Sequence, residues 1–169
     1  QTPADGWAID LGANIGFFSL YFAERFERVV AVEAHPDTAR LLYQNVLVNG
    51  QGGKVLVITA AAYDRHTTLE LATSKVHGWL EDERSFLDTD SVPHSAGFSF
   101  VEDPSQQHHL HEIRVPTIIL DEIIPESATV RLLKVDVQGA ALRALHGCDR
   151  LIARCRPRIV FEFEGHVSE

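Results

Sequence analysis

Short β-rich apolar runs alternate with longer segments of helical spacing along this chain, and strands that recur with a helix between them fold as parallel α/β units. Runs at 7–11 (WAIDL), 29–33 (VVAVE), 54–59 (KVLVIT), 131–137 (RLLKVDV) and 158–164 (RIVFEFE) read as five parallel strands. After the first, FFSLYFAERFE sets Phe18, Phe22 and Phe26 four residues apart as one apolar helical stripe. After the second, Pro36 stands where a first helical turn begins. Ala39, Leu42, Tyr43, Val46 and Leu47 follow as a core face, and Asn49-Gly50 stops the helix. A further helix is expected from about Ala140 to Ala153. The 169 residues suffice for one domain with a proper core, and residues 1–169 are read as that one domain.

Between Thr73 and Glu112 the alternation breaks down into a polar stretch rich in serine, histidine and acid, punctuated by Pro93, Gly97 and Pro104. A structureless run of that length is foreign to a compact domain. The reading is therefore hairpin strands within it, with Gly97–Val101 as one, or a lid over a site. Order resumes at Ile113–Leu120.

Charge and cysteine usage narrow the functional classes. With 24 acidic against 15 basic side chains the formal charge is −9, which disfavours a counterion-releasing grip on nucleic acid and suits a cationic or neutral ligand. No run reaches the roughly 18 apolar residues of a membrane span, and the N-terminus lacks the layout of a signal peptide. Cys148 and Cys155 form no CxxC pair, so a reduced, cytoplasmic setting is expected. The lack of methionine, even at position 1, reads as a processed or excerpted domain. His108, His109 and His111 lack the spacing of a metal site, and no metal is expected. His35, His77 and His94 read as loop histidines at the surface.

The chemistry concentrates in Ile9–Gly16, IDLGANIG, where a strand runs into a loop with Gly12 and Gly16 and a helix begins near Phe17. Glycines there allow a tight turn and close approach of a ligand beyond the carboxyl end of the strand. The pattern Asp10, Gly12, Asn14, Gly16 is not the GxGxxG of a dinucleotide fold. A carboxylate at Asp10 is an awkward neighbour for a pyrophosphate but suits a ligand carrying an ammonium and a sulfonium, as S-adenosylmethionine does. The bland alternative is a structural glycine turn. Glu33 ends the second strand where an acidic group takes ribose hydroxyls in nucleotide folds, and its two acceptor oxygens match two adjacent donors. Its alternative is a solvated glutamate at a strand end.

The blocks IDLGANIGFFSL, VVAVEAHPDTARLLYQNVLVNG, ITAAAYDRHTTLEL, VPTIILDEI and LLKVDVQGAALRALHG, in this order from about Trp7 to Glu164, resemble the FkbM family of S-adenosylmethionine-dependent methyltransferases. The resemblance implies a Rossmann-like class I methyltransferase fold, α/β/α in three layers with a mostly parallel sheet, and methyl transfer commonly to a hydroxyl oxygen. It implies that Gly12, Asn14 and Gly16 surround the methionine part, that Glu33 binds ribose, and that Ala34 and His35 flank the adenosine. By the same resemblance Asp64, with Ala62 and Tyr63 beside it, accepts the adenine amino group, where the bland reading is a turn residue opening DRHTT. Asp136 would lie near the reactive methyl, with Lys134 on the same side of its strand.

Where the family typically reads KxDVEGAE, this chain reads KVDVQGAA, so two acidic positions have become Gln138 and Ala141. Gln138 can orient a substrate but cannot accept a proton, which leaves Asp136 and Gln138 as the catalytic candidates. Glu162 and Glu164 share one face of the last strand, as pocket-lining residues or partners for an arginine such as Arg156 or Arg158. The leading expectation is O-methylation of a hydroxylated small molecule such as a sugar or a polyketide. Its rivals are a catalytically weakened binding module, a nucleic-acid methyltransferase, which would normally carry an Asn/Asp-Pro-Pro-aromatic segment where DVQG stands, and a nicotinamide-dependent dehydrogenase. Five strands fall short of the seven of a full class I sheet. A homodimer, or further C-terminal chain, is expected to cover the open edge.

Overall fold

The computed structural model describes residues 4–74, 98–100, 110–137 and 139–161. Five strands form a parallel sheet: β1 (Ala4–Leu11), β2 (Phe26–Glu33), β3 (Val55–Thr59), β8 (Val130–Val135) and β9 (Arg158–Phe161), in the order β3-β2-β1-β8-β9. All five expected parallel strands are present. The centres of β1, β2 and β8 are buried on both faces, as parallel strands between helices must be, whereas the edge strand β9 is exposed along its length.

The two faces carry separate cores. Ala8, Val29 and Ala31 pack with Phe22 and Ala23 of α1 (Phe17–Ala23) and Leu42 and Val46 of α2 (Pro36–Val48). Ile9, Leu11, Val30, Val32, Leu133 and Val135 point the other way. They meet Leu120 of α3 (Leu120–Ile123), Ala144 of α4 (Ala141–His146) and Leu151 of α5 (Asp149–Cys155). This is a three-layer α/β/α arrangement. A second sheet, β4-β7-β5-β6, joins β4 (Ala61–Ala62), β5 (Thr68–Ser74), β6 (Phe98–Phe100) and β7 (Leu110–Ile118). β6 pairs antiparallel to β5, which places a hairpin strand within the expected 97–101 stretch. The remainder of the expected lid lies outside the described residues.

Three details depart from the periodicity. Helix α1 ends at Ala23, and Phe26 opens β2 paired with Ala4, so of the Phe18, Phe22 and Phe26 stripe only Phe22 is buried. A strand needs the reach that a continued helix would have consumed. On α2 the core face is narrower than expected, since Ala39, Leu42 and Val46 are buried whereas Tyr43 and Leu47 are exposed.

The single helix expected over 140–153 is two, broken at Gly147 and Cys148. The Gly147 carbonyl accepts from the Asp121 amide (3.0 Å). The Asp121 carboxylate in turn accepts from the amides of Arg150 (2.8 Å) and Leu151 (2.7 Å). A side chain from α3 thus serves the orphan donors at the start of α5, a cap supplied from another element.

The break buries Cys148 beside Asp121 and Asp149, and its thiol is pushed up to about 12, mainly by burial and then by those two carboxylates. Thiolate is the reactive form. At pH 8 Cys148 should therefore resist a disulfide-exchange reagent in the folded chain and react only in denaturant. Release of two equivalents of chromophore without denaturant would contradict this.

Candidate functional site

At the carboxyl edge of the sheet, β1 is followed by a crossing to β2 on one side and flanked by β8 on the other, so the strand order reverses there. Such a switch point opens a crevice between neighbouring loops. Residues 12–16 occupy it. Gly12 takes φ +74°, and a Cβ on it would stand 1.8 Å from the Asp136 carbonyl oxygen. Only glycine lets the loop pass this close to the end of β8. The amides of Gly12 and Ala13 both donate to the Val32 carbonyl at 2.9 and 3.0 Å. Gly16, with φ +97°, leads into α1 and lies against Leu42 of α2.

Glu33 closes the loop from the β2 side. Its Oε2 accepts from the Asn14 amide and its Oε1 from the His35 amide, each at 2.9 Å. Burial pushes the Glu33 carboxyl above the usual carboxylate range, and these two amides oppose that shift. Each oxygen retains lone-pair capacity beyond its one amide. His35, expected at the surface, is instead buried, because it caps α2 through Nδ1, 3.5 Å from the Thr38 amide. Ala34 packs against the small cluster of Ala61, Leu71 and Val115, so the second sheet adjoins this end of β2.

Asp10 stands in register with Lys134 across the β1–β8 pair. Its carboxylate is fully buried. Oδ2 accepts from the Ser19 hydroxyl at 2.7 Å, and the Lys134 ammonium lies 3.1 Å from Oδ1. That second contact is an ion pair by proximity, since Oδ1 lacks an aligned hydrogen bond. Burial raises the Asp10 carboxyl above its ordinary value, with Lys134 and Ser19 pulling the other way. This corrects the expectation that Asp10 faces a cationic ligand: it is enclosed beneath the loop and meets Lys134 and Ser19. The same Lys134 ammonium is 3.1 Å from Asp136 Oδ2 and 3.3 Å from the Gly12 carbonyl, with the Phe18 ring 5.2 Å away. Lys134 thus ties the loop to both carboxylates. Asp136 is the open member, its side chain 36% exposed against 8% for Lys134.

Asp64 follows β4, whose segment is fastened to the Glu33 end by the Ala60 amide on the Glu33 carbonyl (3.0 Å) and to β7 by the Tyr63 amide on the Ile118 carbonyl (2.9 Å). Asp64 Oδ2 accepts from Arg143 Nη1 at 2.8 Å, and this guanidinium holds the carboxyl below the usual range. Asp64 Oδ1 is buried and has no hydrogen-bond partner among the described residues.

The structure brings Gly12, Asn14, Gly16, Glu33 and His35 together directly, with Asp136 and Lys134 at the same strand ends and Ala62, Tyr63 and Asp64 tethered beside Glu33. Gln138, His77, His94, His108, His109, Glu162 and Glu164 lie outside the described residues, as does the side chain of His111. Sequence reasoning missed Ser19, the bridging role of Lys134, and Arg143. The period-2 spacing of Lys134 and Asp136 was the one available signal, because Arg143 reaches Asp64 across 79 residues of chain.

A parallel sheet with helices on both faces, a glycine loop at its switch point and an acid ending the second strand defines the class: a Rossmann-like α/β domain. Within that class the chain belongs to the FkbM methyltransferase family, since the Methyltransferase FkbM domain matches residues 10–169. It is 26% identical over 156 residues to "Methyltransferase 1" of Beauveria bassiana (strain ARSEF 2860), covering 87% of this chain and 60% of that protein's length. The crystal structure of methyltransferase FkbM from Methylobacillus flagellatus KT superposes with a TM-score of 0.59 at 18% identity, covering 95% of this chain and 33% of that one. That likeness speaks to the fold.

No helix among the described residues is long and apolar enough to cross a membrane.

Proposed function

We propose that the chain binds S-adenosylmethionine at the switch point and transfers its methyl group to a hydroxyl oxygen of a small molecule. The observation that carries the reading is Glu33. It is a buried carboxylate at the end of β2, pinned by two amides in the orientation that leaves further acceptor capacity for a pair of ribose hydroxyls. The orphaned Asp64 Oδ1 fits the same cofactor, because a buried acceptor without a donor is costly until a ligand amine supplies one. When bound, the cofactor supplies an electrophilic methyl on a sulfonium.

Gly12, Asn14 and Gly16 shape the loop around it, and Ala34, His35, Ala62 and Tyr63 flank the adenosine. Asp136 orients the acceptor hydroxyl, and Lys134 fixes the Asp136 carboxylate while sharing its charge with Asp10. Displacement at carbon in this arrangement rests on proximity and orientation. Asp136 is the exposed carboxylate of the pair, so it is the one able to accept a hydrogen bond from that hydroxyl. The proposed acceptor is a hydroxylated compound, in keeping with a net charge of −9 that resists polyanions.

Titration calorimetry with S-adenosylhomocysteine should give saturable one-site binding, and labelled S-adenosylmethionine should methylate members of a panel of sugars and polyols. Absence of both heat and thermal shift would sink the cofactor assignment. Binding with no methylated product would favour the weakened binding module.

A further inference from the structure

We infer that Arg143 is a positioning residue for base recognition: by occupying one oxygen of Asp64 it aims the other at the exocyclic amine of the cofactor's purine. The inference rests on the proposed cofactor and concerns how this chain selects its base.

Three observations converge on this segment. Arg143 Nη1 donates to Asp64 Oδ2 at 2.8 Å, which leaves Asp64 Oδ1 as the buried oxygen without a partner among the described residues. The same stretch of chain makes a second close approach, since a Cβ on Gly147 would stand 2.1 Å from the Tyr63 carbonyl oxygen. Helix α4 and the Gly147 that ends it therefore lie against residues 63–64. From the opposite side the Tyr63 amide is bonded to Ile118, so the backbone has little freedom to turn the carboxylate away.

A guanidinium on one oxygen fixes the carboxylate plane and keeps the group ionised, in line with the depressed Asp64 carboxyl. An ionised, oriented acceptor accepts from a 6-amino group and repels a 6-oxo group. Without Arg143 the carboxylate rotates into solvent and that contrast fades.

The test is calorimetric titration of S-adenosylhomocysteine and its 6-oxo counterpart, S-inosylhomocysteine, into the wild-type chain, Arg143→Ala and Arg143→Lys. The wild type should prefer the amino form by about tenfold or more, the size of one hydrogen bond to a charged group. Arg143→Ala should compress that preference to about twofold while still binding both ligands, and Arg143→Lys should restore part of it. A structural role alone would weaken both ligands equally and leave the ratio intact.

Arg143 is half-exposed on a surface helix, so the variants are expected to fold, as circular dichroism would verify. Should Arg143→Ala fail to fold, Arg143→Gln is judged by the same ratio. Retention of the full wild-type preference in Arg143→Ala overturns the inference and leaves the cofactor assignment standing, as does a wild type that binds both forms equally. A wild type that binds neither overturns the cofactor assignment itself.

Discussion

Lys134→Ala should lower the unfolding free energy by about 3–5 kcal/mol and Tm by roughly 10 °C or more, read by urea and thermal unfolding. The substitution strands Asp10, a fully buried carboxylate whose ammonium partner stands 3.1 Å away and whose remaining support is the Ser19 hydroxyl. Removing one member of a buried pair costs far more than the pair contributes, because an uncompensated charge stays behind. Lys134→Met combined with Asp10→Asn should therefore recover most of the loss.

The pH dependence has a definite sign. Asp10 titrates above its ordinary value in the folded chain, so between the unfolded and folded pKa values the folded state holds more protons. Stability then declines as pH rises through that window. Losing Lys134 raises the folded value further, and the gap between variant and wild type should widen as pH rises above the ordinary carboxylate range. A gap independent of pH would show that the cost comes from lost packing.

Gly12→Ala should abolish usable cofactor binding, with a fall of roughly 100-fold or more in affinity for S-adenosylhomocysteine. The new Cβ would lie 1.8 Å from the Asp136 carbonyl, and backbone at that distance has to move. The loop would lift from β8, carrying with it the Asn14 amide that holds Glu33 and the Gly12 carbonyl that meets Lys134. The same replacement at Gly50 is the control. Gly50 also has positive φ, but an added Cβ meets nothing within 4 Å, so the cost is the left-handed strain alone, about 1–2 kcal/mol with cofactor affinity unchanged. Equal effects at the two positions would mean that backbone strain, and not the contact with β8, explains the loss.

Much of this site could be read from local pattern. IDLGANIG announced a strand, a glycine loop and a helix, because alternation and helical periodicity are properties of consecutive residues and positive-φ turns select glycine. Glu33 was legible for the same reason, as the acid closing a β-branched run. The five parallel strands followed from composition within short windows. The end of α1 before Phe26 and the break at Gly147 were not legible, since each depends on a partner distant in sequence: Ala4 in the first case, Asp121 and Tyr63 in the second.

By itself, then, the sequence determined the five parallel strands, where the chain must turn, and that acids stand at the strand ends, whereas β4 and β5 of the second sheet carried no such signal. What those acids do was left to the tertiary structure. Asp10, Glu33, Asp64 and Asp136 look alike along the chain, yet one is enclosed against Lys134, one is pinned by two amides, one is oriented by Arg143 and one is open to solvent. A carboxylate's charge, reach and proton affinity depend on its burial and on the donors around it. His35 and Lys134 stand only two residues from Glu33 and Asp136, but the other donors come from residues 9 to 124 positions away, which only the folded chain brings into contact.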